Sequence, residues 1–136
     1  MKSDIEKVIC DAVREFEKHV DISTRWKKPL VAYADAADPM FKILKQVADP
    51  DHYEPFDINP DAKSVITYFL PFEDWVVESN TGGTECSREW ALAYIETNNL
   101  ISEINDRLIL FLNNSGWRTE KLPKELTPGE YILISI

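Results

Sequence analysis

SREWALAYIETNNLISEINDRLILFLNNSGW, from Ser87 to Trp117, is the stretch that decides the fold. Trp90, Tyr94, Ile101, Ile104, Leu108 and Phe111 recur on three- and four-residue spacing, with Thr97 and Asn98 standing where the next apolar members belong. That period predicts one amphipathic helix over 87–113, with its apolar stripe on those six residues. Ser87 is placed to cap the start, and Asn113-Asn114-Ser115-Gly116 supplies a glycine exit. A helix of this length runs about 40 Å, enough to cross a small domain.

Working outward, Ser64-Val65-Ile66-Thr67-Tyr68-Phe69-Leu70 reads as a strand that stops at Pro71. Its near-continuous apolar character fits a central strand covered on both faces. Leu30–Ala34, after Pro29, and Tyr131–Ile136, after Pro128-Gly129, read as two more strands. Ser3 to about Lys18 reads as a helix opened by a Ser3/Glu6 capping box, with Ile5, Val8, Ile9, Ala12, Val13 and Phe16 inward. A second helix over 39–47 takes Asp38 as its cap and Pro39 as its first residue, with Met40, Ile43, Leu44 and Val47 inward. Residues 49–61, with three prolines, read as a wrapped connector pinned by Tyr53, Phe56 and Ile58. Residues 72–85 read as a variable loop, and Trp117–Pro128 as a charged connector. The expected fold is α/β (α+β): one three-layer-like domain over 1–136, a small mixed sheet of three strands packed by helices, one of them long.

Composition narrows the function classes. The chain has 136 residues, 44% of them hydrophobic and 29% charged, with a net charge of −9. This acidity argues against a broad nucleic-acid surface, and the nearest basic patch is Arg25-Trp26-Lys27-Lys28. No apolar run reaches the roughly 18 residues of a membrane span. The N-terminus lacks a secretory pattern, so a cytoplasmic location is the default. Cys10 and Cys86 lie far apart outside any C-x-x-C pattern and read as free thiols. No His or Cys spacing suits zinc, and two cysteines are too few for an iron–sulfur cluster, which takes about four.

Several segments resemble one family when taken in order. They are Pro29–Pro39 (PLVAYADAADP), Asp61–Phe72 (DAKSVITYFLPF), Ser79-Asn80, Ser87–Ala91, Tyr94 and Thr97–Ile101. Their order and spacing are similar to those of iron–sulfur, corrinoid-dependent reductases resembling epoxyqueuosine reductase, and closer still to a branch of iron–sulfur proteins from anaerobes. The resemblance covers residues 25–136. It implies an oxidoreductase whose relatives continue into glycine-rich cobalamin-pocket segments and cysteine clusters for two 4Fe–4S centres. Neither Cys10 nor Cys86 matches a cluster ligand, and the family's general acid lies beyond this chain. The resemblance therefore implies an N-terminal half that binds no cofactor alone, and it carries over no catalytic residue and no metal ligand.

Two other readings stand beside the reductase half: a stand-alone binding or regulatory module of the same fold, and an independent hydrolase using Asp35 and Asp38. Asp38 is better explained as a cap. Tyr68, Phe72, Trp90, Tyr94 and Asn98 are the candidate cavity-lining residues, with core packing as the competing role for the aromatics. Thr97, Asn98 and Asn99 interrupt the apolar stripe, so they must bond neighbouring loops or line a cavity. Gly82-Gly83 could cradle a phosphate before the long helix, but no phosphate-loop pattern or lysine accompanies it. A terminal strand with an unpaired edge implies a homo-oligomer through that edge.

Overall fold

The computed structural model of the protein describes residues 1–121 and 131–135. The order is α1 (Lys2–Phe16), β1 (Leu30–Asp35), α2 (Met40–Val47), α3 (Pro55–Ile58), β2 (Ser64–Phe69), α4 (Asp74–Ser79), α5 (Arg88–Asn114), β3 (Arg118–Lys121) and β4 (Tyr131–Ser135). The fold is α+β. Contacts divide it into two units: Met1–Leu30 with Phe69–Leu108, and Val31–Tyr68 with the described residues from Ile109 onward.

In the first unit, α1 buries Ile5, Ile9, Ala12, Val13 and Phe16. The Ser3/Glu6 capping box does not form. The helix starts one residue before Ser3, because the terminal ammonium of Met1 pairs with Asp4 at 2.7 Å and Ile5 N donates to Met1 O. Residues 72–85 are not all loop: α4 forms there and buries Val76 completely.

α5 is continuous over 27 residues, as its period demands. Ser87 Oγ accepts from Trp90 N at 3.0 Å and caps its start. At the other end Trp117 N donates to Leu112 O, and Gly116 takes φ +86°, the left-handed exit that glycine adopts without a Cβ clash. The stripe is rotated from the expected one. Ala93, Leu100, Ile104, Leu108 and Leu112 are fully or almost fully buried, whereas Tyr94 is 67% exposed. Aromatic size misled the sequence reading: small Ala93 takes the inward position, and the larger Tyr94 one step round points out. Each buried Leu or Ile contributes about 1.5–3 kcal/mol, so this face supplies much of the stabilisation.

The second unit holds the sheet, in the order β1-β2-β4-β3. β4 pairs antiparallel with β2 (Ser64↔Ile134 to Thr67↔Tyr131) and with β3 (Arg118↔Ser135 to Lys121↔Ile132). Among the described residues there are four strands instead of three, because part of the charged connector is β3. Arg118-Thr119-Glu120-Lys121 carries no apolar signal, and an edge strand needs none. The terminal strand is therefore an inner strand, which removes the unpaired edge expected there. The edges are β1 and the charged β3. The expected Pro128-Gly129 turn and Ile136 lie outside the described residues.

Val65 and Ile66, which point to opposite faces of β2, are both buried, as a doubly covered strand requires. A small core joins Ala36, Ala62 and Val65, with Ala34, Phe41 and Ile58 packed against it. α2 meets this core through Phe41, which the expected stripe left out; of that stripe Leu44 is half-buried, whereas Met40 is 68% and Val47 73% exposed and Ile43 is exposed as well. Asp38 caps α2 by accepting from Met40 N at 2.9 Å, and Asp35 accepts from Ala37 N, so local turns occupy both carboxylates. In the proline-rich connector, Pro55 and Ile58 turn inward while Tyr53 and Phe56 stay exposed. Its short helix α3 is tied by Asp57, which accepts from Glu54 N at 2.9 Å and pairs with Lys45 at 3.0 Å.

Candidate functional site

The densest polar network lies in the first unit, where residues 23–27 cross the start of α5. Glu96 is buried, at 6% exposure. Its Oε1 accepts from Ser23 N at 3.1 Å and Ser23 Oγ at 3.2 Å, and its Oε2 accepts from Thr24 N at 2.7 Å. Burial pushes the carboxyl up, but the hydrogen bonds from Thr24 and Ser23 outweigh it and hold Glu96 below the ordinary glutamate value. A charged group this buried is tolerable only when its lone pairs are met, and here they are.

Trp26 follows in the same segment and is also buried. Its Nε1 donates to Thr97 Oγ1 at 3.0 Å, and its N donates to Glu17 Oε1 at 3.1 Å. Its ring meets Phe16 edge-on with centroids 6.0 Å apart. Lys27 N to Pro71 O and Glu73 N to Arg25 O lace the segment to residues 71–73 by main-chain bonds. The four-residue basic patch is therefore largely engaged. Arg25 donates to the carbonyls of Ile22 and Thr24, and Lys27 pairs with Asp74.

A cleft of about 180 Å³, partly open to solvent, adjoins this network and is lined by Ser23, Thr24, Trp75, Arg88, Glu89 and Leu92. Trp75 comes from α4, and Arg88, Glu89 and Leu92 from the first turns of α5. Beside it, Ser79 and Asn80 brace the helix start. Ser79 Oγ lies 2.8 Å from Ser87 Oγ, and Asn80 Oδ1 accepts from Ser87 N at 2.9 Å.

None of the five residues expected to line a cavity lines this cleft. Phe72 and Trp90 do meet, edge to face at 5.5 Å, in a packing contact. Tyr94 and Asn98 face out from α5. Tyr68 is half-buried on β2, in the other unit. Of the three polar residues interrupting the stripe, Thr97 bonds a neighbouring segment, whereas Asn98 and Asn99 are exposed. Sequence reasoning passed over Glu96, although it stands three residues after Ala93 and four before Leu100, on the buried face. Ser23, Thr24 and Trp75 carried no signal, since their roles arise from distant contacts.

Cys10 is half-buried on α1 and Cys86 is exposed, both as free thiols, against the roughly four thiolates a cluster takes. No helix among the described residues is long and apolar enough to cross a membrane. No family model matches the chain, and neither a curated protein nor a solved structure matches it.

Proposed function

We propose that the chain is the N-terminal region of an iron–sulfur, corrinoid-type reductase and serves as scaffold, with the redox centres held by other polypeptide. The observation that supports this reading is where the resembling segments fall. Pro29–Pro39 forms β1 and the turn into α2, Asp61–Phe72 contains β2, and Ser79, Asn80 and Ser87 meet in one network that starts α5. Ser79 and Asn80 are thus joined to Ser87 at the head of the long helix.

The test is co-expression with the polypeptide encoded directly downstream, followed by visible spectroscopy with added hydroxocobalamin. The expected result is no spectral shift with the chain alone, and a cobalamin shift plus iron–sulfur absorption when a cysteine-rich partner co-purifies. A gene that stops at this chain, with no cysteine-rich protein bound to it in the cell, refutes the reading. The second reading, a binding module of the same fold, is favoured by the cleft, which is assembled within the first unit alone.

A further inference from the structure

We propose that the cleft at the head of α5 binds a small α-amino acid with an aliphatic side chain. This inference rests on the first unit's own geometry and stands apart from the reductase reading.

The cleft's groups separate by chemistry. Arg88 brings a guanidinium, whose planar fork of donors matches a carboxylate. Trp75 adds an indole N–H and an aromatic face. Among the described residues neither side chain has a hydrogen-bond or ion-pair partner, so both donors remain for a ligand. Opposite in character are Glu89, whose carboxylate is likewise unpaired among the described residues, and Ser23. The Ser23 hydroxyl commits its proton to Glu96, so it offers the cleft only lone pairs. These two groups accept from an ammonium. Leu92 and the Trp75 ring supply apolar surface to the same cleft. A ligand satisfying all three features carries a carboxylate, an ammonium and a compact apolar group.

Size and stiffness agree. The volume of about 180 Å³ suits a molecule of amino-acid size. Glu96 fixes the main chain of Ser23 and Thr24 from behind, so that wall is set before a ligand arrives. A ligand of about nine heavy atoms in an open, partly polar cleft binds with a Kd on the order of 1 mM.

The experiment is NMR titration of nitrogen-15-labelled protein, following the Trp75 indole N–H, assigned by its loss in Trp75→Phe. The probes are L-leucine, 4-methylpentanoate, which lacks the ammonium, and 3-methylbutylamine, which lacks the carboxylate. L-Leucine is expected to move the Trp75 signal saturably, and each analogue to bind roughly tenfold or more weakly. Arg88→Gln should erase the advantage of L-leucine over the amine, and Glu89→Gln its advantage over the acid. Both residues are exposed, so unchanged signals elsewhere in the spectrum show that the variants fold. No saturable movement below roughly 20 mM L-leucine, or variants that leave the discrimination intact, overturn the proposal.

Discussion

Replacing Glu96 by alanine removes the acceptor for two main-chain N–H groups and one hydroxyl. Thr24 is 1% exposed, so its N–H, at 2.7 Å from the carboxylate, has no water to turn to. An orphaned buried donor costs about 1–3 kcal/mol, and hydrogen bonds to a charged acceptor contribute about 1.5–3 kcal/mol each. Removing the buried charge returns part of this, since its desolvation cost disappears with it. The expected net loss is about 3 kcal/mol, which lowers Tm by roughly 12 °C for a chain of this size. Glu96→Gln should lose about 2 kcal/mol, because an amide offers one oxygen while its NH2 faces the remaining donor. The assay is urea unfolding followed by circular dichroism, with amide exchange at Ser23 and Thr24 as a local readout. Glu89→Ala, an exposed change on the same helix, is the control and should stay within about 0.5 kcal/mol of wild type. If Glu96→Ala also stays within that margin, with Thr24 N–H still protected, Glu96 does not hold the segment.

The same carboxylate gives a pH dependence. Its folded pKa lies below its unfolded value, so its stabilisation is fully present above the unfolded glutamate pKa. It is lost as pH falls through the folded value, and Glu96→Gln should flatten that part of the acid-unfolding profile. Thr97→Val leaves the Trp26 N–H without its acceptor and should cost about 1–2 kcal/mol, with a change in tryptophan emission. Leu100→Ala should cost about 3 kcal/mol while Tyr94→Ala costs under about 1 kcal/mol; equal losses in urea melts would return the stripe to its sequence-expected position. Gly116→Ala places a Cβ in the left-handed region and should cost about 1–2 kcal/mol by thermal melt, although the space around it is open.

The long helix was legible because its period persists over many turns and both ends carry cap chemistry. Its phase was not, because hydrophobic size ranks Trp90 and Tyr94 above Ala93, and only packing shows that the narrow position takes the alanine. β2 was legible from its β-branched run. β3 was not, because an edge strand of charged and polar residues looks like a solvated connector until β4 lies beside it. The α2 face was misread since a helix beside a core of Ala36, Ala62 and Val65 has little apolar surface to meet. The cleft was the least legible feature. Its walls come from residues 23–24, 75 and 88–92, and no local pattern announces that these share a neighbourhood.

The placing of β4 between β2 and β3 has a consequence for biosynthesis. Of the four strands it leaves the ribosome last, so β2 and β3 must wait for a mutual neighbour that does not yet exist. Until it arrives, the β2 flank that will receive it is open to any extended peptide nearby. Every segment of the first unit precedes β4 in the chain, so that unit can mature on the nascent polypeptide while the sheet is still incomplete.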